Sequence, residues 1–136
     1  MGRPFCRKTW DAPTGVAMHC AFCRIPPDKH LVENEHFFAI RDIHPVTRGH
    51  CLVVAKRHVK DFFELDPDEM QAFHAICVEL RDILDREYRP AAYNLGMNCG
   101  SEAGQSVFHF HLHFIPRFAG ERRPLQGLRE YIKEIL

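Results

Sequence analysis

The sequence has no net charge, no long apolar run and no low-complexity segment, and each absence closes off a class of function. Its 18 Lys and Arg are balanced by 18 Asp and Glu, which argues against a general electrostatic hold on nucleic acid or an anionic membrane. No stretch approaches the roughly 18 apolar residues of a membrane-spanning helix. The N-terminal MGRPFCRKTW is basic but lacks the apolar run of a secretory signal. Cys6 stands where a myristoylation motif requires Ser or Thr. The expectation is a cytoplasmic protein with no nucleic-acid or membrane partner. Without a secretory context, the six cysteines (6, 20, 23, 51, 77 and 99) do not read as a disulfide framework. Only Cys20 and Cys23 have a recognised spacing, and the others suit buried small side chains. The 136 residues make one domain, long enough to bury a core without staples.

What the sequence has in excess is histidine: ten, against eight glycines, with His109, His111 and His113 packed into one short run. The surrounding pattern supplies a scaffold. Residues 1–18 lack periodicity and read as a mobile arm, leaving 19–136 as the domain. Strand-like runs of apolar and β-branched residues lie at 36–40, 51–55, 91–97 and 107–115. Asp66, Pro67 and Glu69 form a cap, a first helical turn and a capping box. Met70, Phe73, Cys77, Leu80 and Leu84 then repeat at helical spacing as far as Tyr88, before Arg89-Pro90 ends the helix. Leu125, Leu128, Ile132 and Ile135 predict a second helix in the last dozen residues. Strands followed by a helix, twice over, predict an α+β domain with a mainly antiparallel sheet.

Residues 107–115 read Val-Phe-His-Phe-His-Leu-His-Phe-Ile. Alternation along a strand places the three histidines on one face and Phe108, Phe110, Leu112 and Phe114 on the other, which is a core surface. Three readings of the imidazole face compete. It could be a solvated surface, although Thr, Lys or Glu would serve that purpose equally well. It could hold a catalytic metal, but three alternating positions span about 13 Å, too far to close one tetrahedron on bonds of about 2.0–2.1 Å. Or one imidazole attacks as a nucleophile while a neighbour holds charge or a proton, a role imidazole can fill at neutral pH. The loop at 94–106, with Gly96, Gly100 and Gly104 and the polar Asn98, Gln105 and Ser106, adds close backbone approach and hydrogen-bond donors suited to a phosphoryl group.

His109-Phe110-His111-Leu112-His113-Phe114-Ile115 matches the His-φ-His-φ-His-φ-φ signature of the histidine triad (HIT) family, φ being apolar. The match extends through Gly104-Gln105-Ser106-Val107 and Pro116-Arg117, and in the first half through Asp42-Ile43, Gly49-His50 and Leu52-Val53-Val54. The chain resembles the family's small nucleotide hydrolases and transferases over about residues 20–118, most of all the zinc-carrying bacterial members. The resemblance implies a mainly antiparallel five-stranded sheet with one long helix and a C-terminal helix. It also implies cleavage at the α-phosphate of a purine nucleotide derivative of the phosphoramidate type, through a covalent nucleotidyl-histidine. Dinucleoside polyphosphate hydrolysis and a non-catalytic nucleotide-binding role are the alternatives, and a homodimer is the family habit. By position, His111 would be the nucleophile and His113 would contact the phosphate and leaving group. Asn98, Gln105 and Ser106 would bind phosphate oxygens, Asp42 the ribose hydroxyls, and Ile43 with apolar residues near Phe38 the base.

Cys20 and Cys23 alone make half of a structural zinc site, which needs four ligands. The resemblance supplies His50 and His109 as the other half, with His19 as a rival fourth ligand. His30, His36, His58 and His74 read as surface or helix-face residues, and His44 lies near the ribose loop.

Overall fold

Asp66 sets the start of the one long helix among the described residues. Its carboxylate accepts from the backbone three residues on, and Glu69 accepts from the Asp66 N–H at 2.8 Å, the reciprocal box read from the sequence. The helix, α1, runs Pro67–Tyr88 and stops where Arg89 turns left-handed ahead of Pro90. Its stripe buries Ile76, Leu80 and Leu84 completely, each removal from water contributing about 1.5–3 kcal/mol. Phe73 and Cys77 pack at the margin of the same core. The structure is a computed structural model that describes residues 19–121. The arm expected over 1–18 and the helix expected in the last dozen residues lie outside the described residues. No helix among the described residues is long and apolar enough to cross a membrane.

Five strands form one antiparallel sheet: β1 (Val32–Glu33), β2 (Phe37–Arg41), β3 (Cys51–Ala55), β4 (Ala92–Gly96) and β5 (His111–Arg117), in the order β1-β2-β3-β5-β4. The expected α+β architecture is what the chain adopts, with β1 added as a short edge. Every residue of β3 is buried, because both faces are covered. Cys51, Val53 and Ala55 join the core under α1 with Phe110, Leu112 and Phe114. Leu52 and Val54 face the other way, with Phe38 and the flanking Phe22, Ile25 and Ile40. Those two β3 residues pair with His113 and His111, so the histidines share their face with a small apolar bed.

The histidine run departs from the expected strand at its start. Regular pairing begins at His111 rather than at residue 107. The Ala55 N–H bonds the Phe110 carbonyl at 3.2 Å, but the Phe110 N–H bonds the carbonyl of Val59, not of a residue next to Ala55. Residues 56–58 therefore loop out of the ladder, as in a bulge. Phe108, expected in the core, precedes the regular strand and is 47% exposed. Between β2 and β3 the chain turns back so that the Asp42 N–H bonds the His50 carbonyl at 3.0 Å. Gly49 makes that turn possible: its φ is +81°, and a Cβ there would lie 2.8 Å from the Tyr88 ring.

Candidate functional site

His111 is the centre of the histidine face. Its ring is buried, edge-on to Phe22 at 4.9 Å between centroids, and its Nδ1 lies 2.9 Å from the backbone carbonyl of His109. A carbonyl only accepts, so Nδ1 carries the proton and Nε2 is left with a free electron pair. Burial holds the imidazole below its ordinary pKa, more strongly than the carbonyl raises it, so the ring is neutral at pH 7 with one nucleophilic nitrogen.

His113 lies beside it, ring centroids 5.3 Å apart, and belongs to a buried polar chain. Its Nδ1 is 3.1 Å from His50 Nε2, and His50 Nδ1 is 3.1 Å from the Val46 N–H. Asp42 Oδ2 lies 3.5 Å from His50 Nε2 and 3.9 Å from His113 Nδ1, while Oδ1 accepts from the His44 N–H at 2.8 Å. Burial, with the Arg117 charge, pushes His50 down to about 4. Burial and the neighbouring imidazoles push His113 down to about 3. His113 Nε2 and Asp42 Oδ2 are buried with no hydrogen-bond partner.

Cys20, Cys23, His58 and His109 form a second group, in which one ligand atom from each lies within 4.8 Å of the others. His109 Nδ1 is 3.2 Å from Cys20 Sγ, 3.4 Å from Cys23 Sγ and 3.1 Å from His58 Nδ1, and the last is 3.2 Å from Cys23 Sγ. The edges of a zinc tetrahedron with sulfur and nitrogen ligands are about 3.3–3.8 Å; these four separations lie at or slightly below that range, so a small expansion around an ion suffices. His109 Nε2 lies 2.6 Å from the Ala55 carbonyl and must donate to it, which turns an unprotonated Nδ1 into the cluster, the tautomer a metal requires. The hydrogen bond with Cys23 and burial push the Cys20 thiol up to about 12, so a thiolate there calls for a cation. The donor set fits a metal ion.

This corrects the expected ligand set. His50 is not in the group, and His58, read as a surface residue, takes its place. The reason is strand direction. β3 and β5 run antiparallel with Cys51 opposite Phe114 and Val54 opposite His111, so the residue before β3 lies at the far end of β5 from His109. The residues after β3 lie at the near end, where the loop at 56–58 carries His58 back onto His109. An antiparallel pairing of the two most strand-like runs was the signal that could have found it.

The loop residues divide. Gln105, expected at a phosphate, is buried and its carboxamide is committed to the backbone: Nε2 donates to the Lys60 carbonyl at 2.7 Å and the Val107 carbonyl at 3.1 Å, and Oε1 accepts from the Gly100 N–H at 2.8 Å. It braces the loop and has no donor left for a ligand. Ser106 is exposed and lines a cavity of ≈390 Å³ with His58 and Phe108. Asn98 is half-buried in the stretch leaving β4. Ile43 stands out at 85% exposed.

The family model for the HIT domain matches residues 24–120. The curated protein hit of Bacillus subtilis is 44% identical over 111 residues, covering 74% of this chain and 75% of its own. An uncharacterized HIT-like protein of Methanocaldococcus jannaschii is 36% identical over 127 residues, covering 85% and 98%. Among solved structures, a HIT family protein from Bacillus anthracis superposes with a TM-score of 0.70 at 37% identity, over 80% of this chain and 79% of that one. A zinc-bound histidine triad family protein from Mycobacterium smegmatis does so with a TM-score of 0.70 at 31% identity, over 88% and 91%. The chain is a member of the HIT family.

Proposed function

We propose that the protein cleaves a purine nucleotide derivative at its α-phosphate through a covalent bond to His111. The observation that carries this reading is the fixed tautomer of His111, a neutral buried ring whose Nδ1–H is held by the His109 carbonyl. In the first step the Nε2 electron pair forms an N–P bond, and the bond from phosphorus to the leaving group breaks with its electrons departing on that group. The ring becomes a phosphorylated imidazolium, and the carbonyl on Nδ1–H interacts more strongly with that cation than with the neutral ring, so it contributes selectively along the reaction. Water then forms a P–O bond as the N–P bond breaks, which restores the Nε2 pair, and the proton the water gives up balances the one taken by the departing group. His113 contacts the phosphate and leaving group, supported by its buried Nε2 that lacks a protein partner. Ser106 and Asn98 supply further donors, Asp42 takes the sugar hydroxyls, and the exposed Ile43 covers the base.

Cys20, Cys23, His58 and His109 would hold a structural zinc ion. Its contribution is mechanical: with all four positions filled by the protein it clamps His109, whose carbonyl orients His111. A second copy of the chain would pair along β4, an edge of the sheet flanked by the exposed Val78 and Leu95. Single-turnover assays with adenosine phosphoramidate and diadenosine tetraphosphate side by side test the activity. Release of AMP from at least one is expected, and cleavage of neither would leave only a nucleotide-binding role.

A further inference from the structure

His50 remains without a task once His58 takes its place in the metal group, yet it is fully buried, with Nδ1 facing the Val46 N–H and Nε2 facing His113 at 3.1 Å and Asp42 Oδ2 at 3.5 Å. The protons along its chain can be assigned from one end. The Val46 amide carries a hydrogen and can only donate, so His50 Nδ1, 3.1 Å away, must accept. A neutral imidazole that accepts at Nδ1 carries its proton on Nε2. That nitrogen is 3.1 Å from His113 Nδ1, a contact that needs one hydrogen between the rings, and His50 supplies it. His113 Nδ1 therefore accepts, and the His113 proton sits on Nε2. The reverse assignment puts a hydrogen on His50 Nδ1 facing the Val46 N–H, two donors head to head in a buried site with neither satisfied. Asp42 Oδ2, at 3.9 Å from His113 Nδ1, is too distant to hold the opposite tautomer by a normal hydrogen bond.

We infer that His50 is a positioning residue that fixes the tautomer of His113, so that His113 meets the reacting phosphate as an Nε2–H donor and not as a lone pair. The neutral state this requires fits the burial of both rings. The nearby Arg117 charge, which holds His50 down, also opposes the other use of Asp42, His50 and His113, a cation between them. The consequence follows from sign. An N–H aimed at a phosphate oxygen gains as negative charge develops there, whereas a lone pair at the same point repels it. Without His50, His113 is free to take its proton on Nδ1. The chain also sets the two histidines of β5 to opposite tasks: a backbone carbonyl makes His111 Nε2 a nucleophile, while a backbone N–H, relayed through His50, makes His113 Nε2 a donor.

The activity side of this assignment rests on the nucleotidyl-histidine reading above, but the tautomer itself does not. Nitrogen-15 NMR of the histidine rings in the full-length protein reads it directly, with His113→Gln identifying the His113 signals. The expected wild-type spectrum has His113 protonated at Nε2 and His50 protonated at Nε2. His50→Leu, which fills the site but neither accepts nor donates, is expected to populate the Nδ1–H form of His113. It should lower single-turnover cleavage about 100-fold, the size of losing one fixed donor at a developing charge, with little change in KM. His50→Gln, which can accept from Val46 and donate to His113 together, is expected to restore the tautomer and most of the rate. A wild-type His113 protonated at Nδ1, or a His50→Leu protein with unchanged tautomer and rate, overturns the inference. If His50→Leu does not fold, the wild-type and His50→Gln spectra still decide it. Cleavage of no nucleotide by a protein with the expected tautomers would remove the proposed activity and leave the proton assignment standing.

Discussion

The exchange of His58 for His50 in the metal group makes a sharp prediction. The perturbation is a pair of substitutions, His58→Ala and His50→Ala, each removing one buried or half-buried imidazole from the same small domain. In the structure His58 Nδ1 sits 3.2 Å from Cys23 Sγ and 3.1 Å from His109 Nδ1, whereas both ring nitrogens of His50 are turned to Val46 and His113. Structural zinc binding contributes apparent free energies of about 10–16 kcal/mol through four ligands, so one ligand carries roughly 3 kcal/mol, a factor of about 100 in affinity. Competition with a chromophoric chelator measures this directly, with metal content after gel filtration as the check. Wild-type protein and His50→Ala should retain about one zinc and give similar affinities, and His58→Ala should bind about 100-fold more weakly. Zinc lost from His50→Ala and kept by His58→Ala would refute the argument from strand direction. Less than about half an equivalent in gently purified wild-type protein would count against the site as a whole.

Two further outcomes follow from the buried groups. His50 and His113 have folded-state pKa values pushed down to about 4 and about 3, so the unfolded chain takes up protons first as the pH drops below about 6.5. Their stabilising effect is therefore present above that value and is lost as pH falls toward 4, at up to about 1.4 kcal/mol per pH unit for each ring. Urea unfolding at pH 7.5 and 5.5 should differ by about 3 kcal/mol from this pair, with His50→Gln losing about half as much; a flat profile contradicts the assignment. Gln105→Ala should remove three part-buried hydrogen bonds and cost about 2–4 kcal/mol by the same unfolding measurement. If Gln105 touched substrate instead of bracing the loop, the variant would keep its stability and lose activity alone.

Different parts of the molecule were legible to different depths. The helix at Pro67–Tyr88 announced itself because capping and periodicity are local, and β3 because its two buried faces leave an unbroken apolar run. The short β1 has two residues, too few for any periodic signal. The His109-to-His113 run was legible as a face of buried imidazoles, since alternation along a strand is also local. What the sequence could not carry was tertiary register. His50 and His58 are both histidines flanking the same strand, and only its antiparallel pairing with β5 and the loop at 56–58 decide which reaches His109. Gln105 looked like a phosphate ligand for the same reason, because the Lys60 carbonyl that occupies its amide is distant in the chain. Phe108 alternates correctly with the core residues of its run, yet regular pairing starts after it and leaves it exposed.

The proposed reaction depends on His111 as the nucleophile. Mass spectrometry of protein quenched within a single turnover, after mixing with adenosine phosphoramidate or diadenosine tetraphosphate, tests this most directly. The predicted result is a mass increase of one AMP moiety, localised by fragmentation to His111 and absent from His111→Ala. Cleavage of substrate with no adduct at His111, or full turnover by His111→Ala, would contradict it.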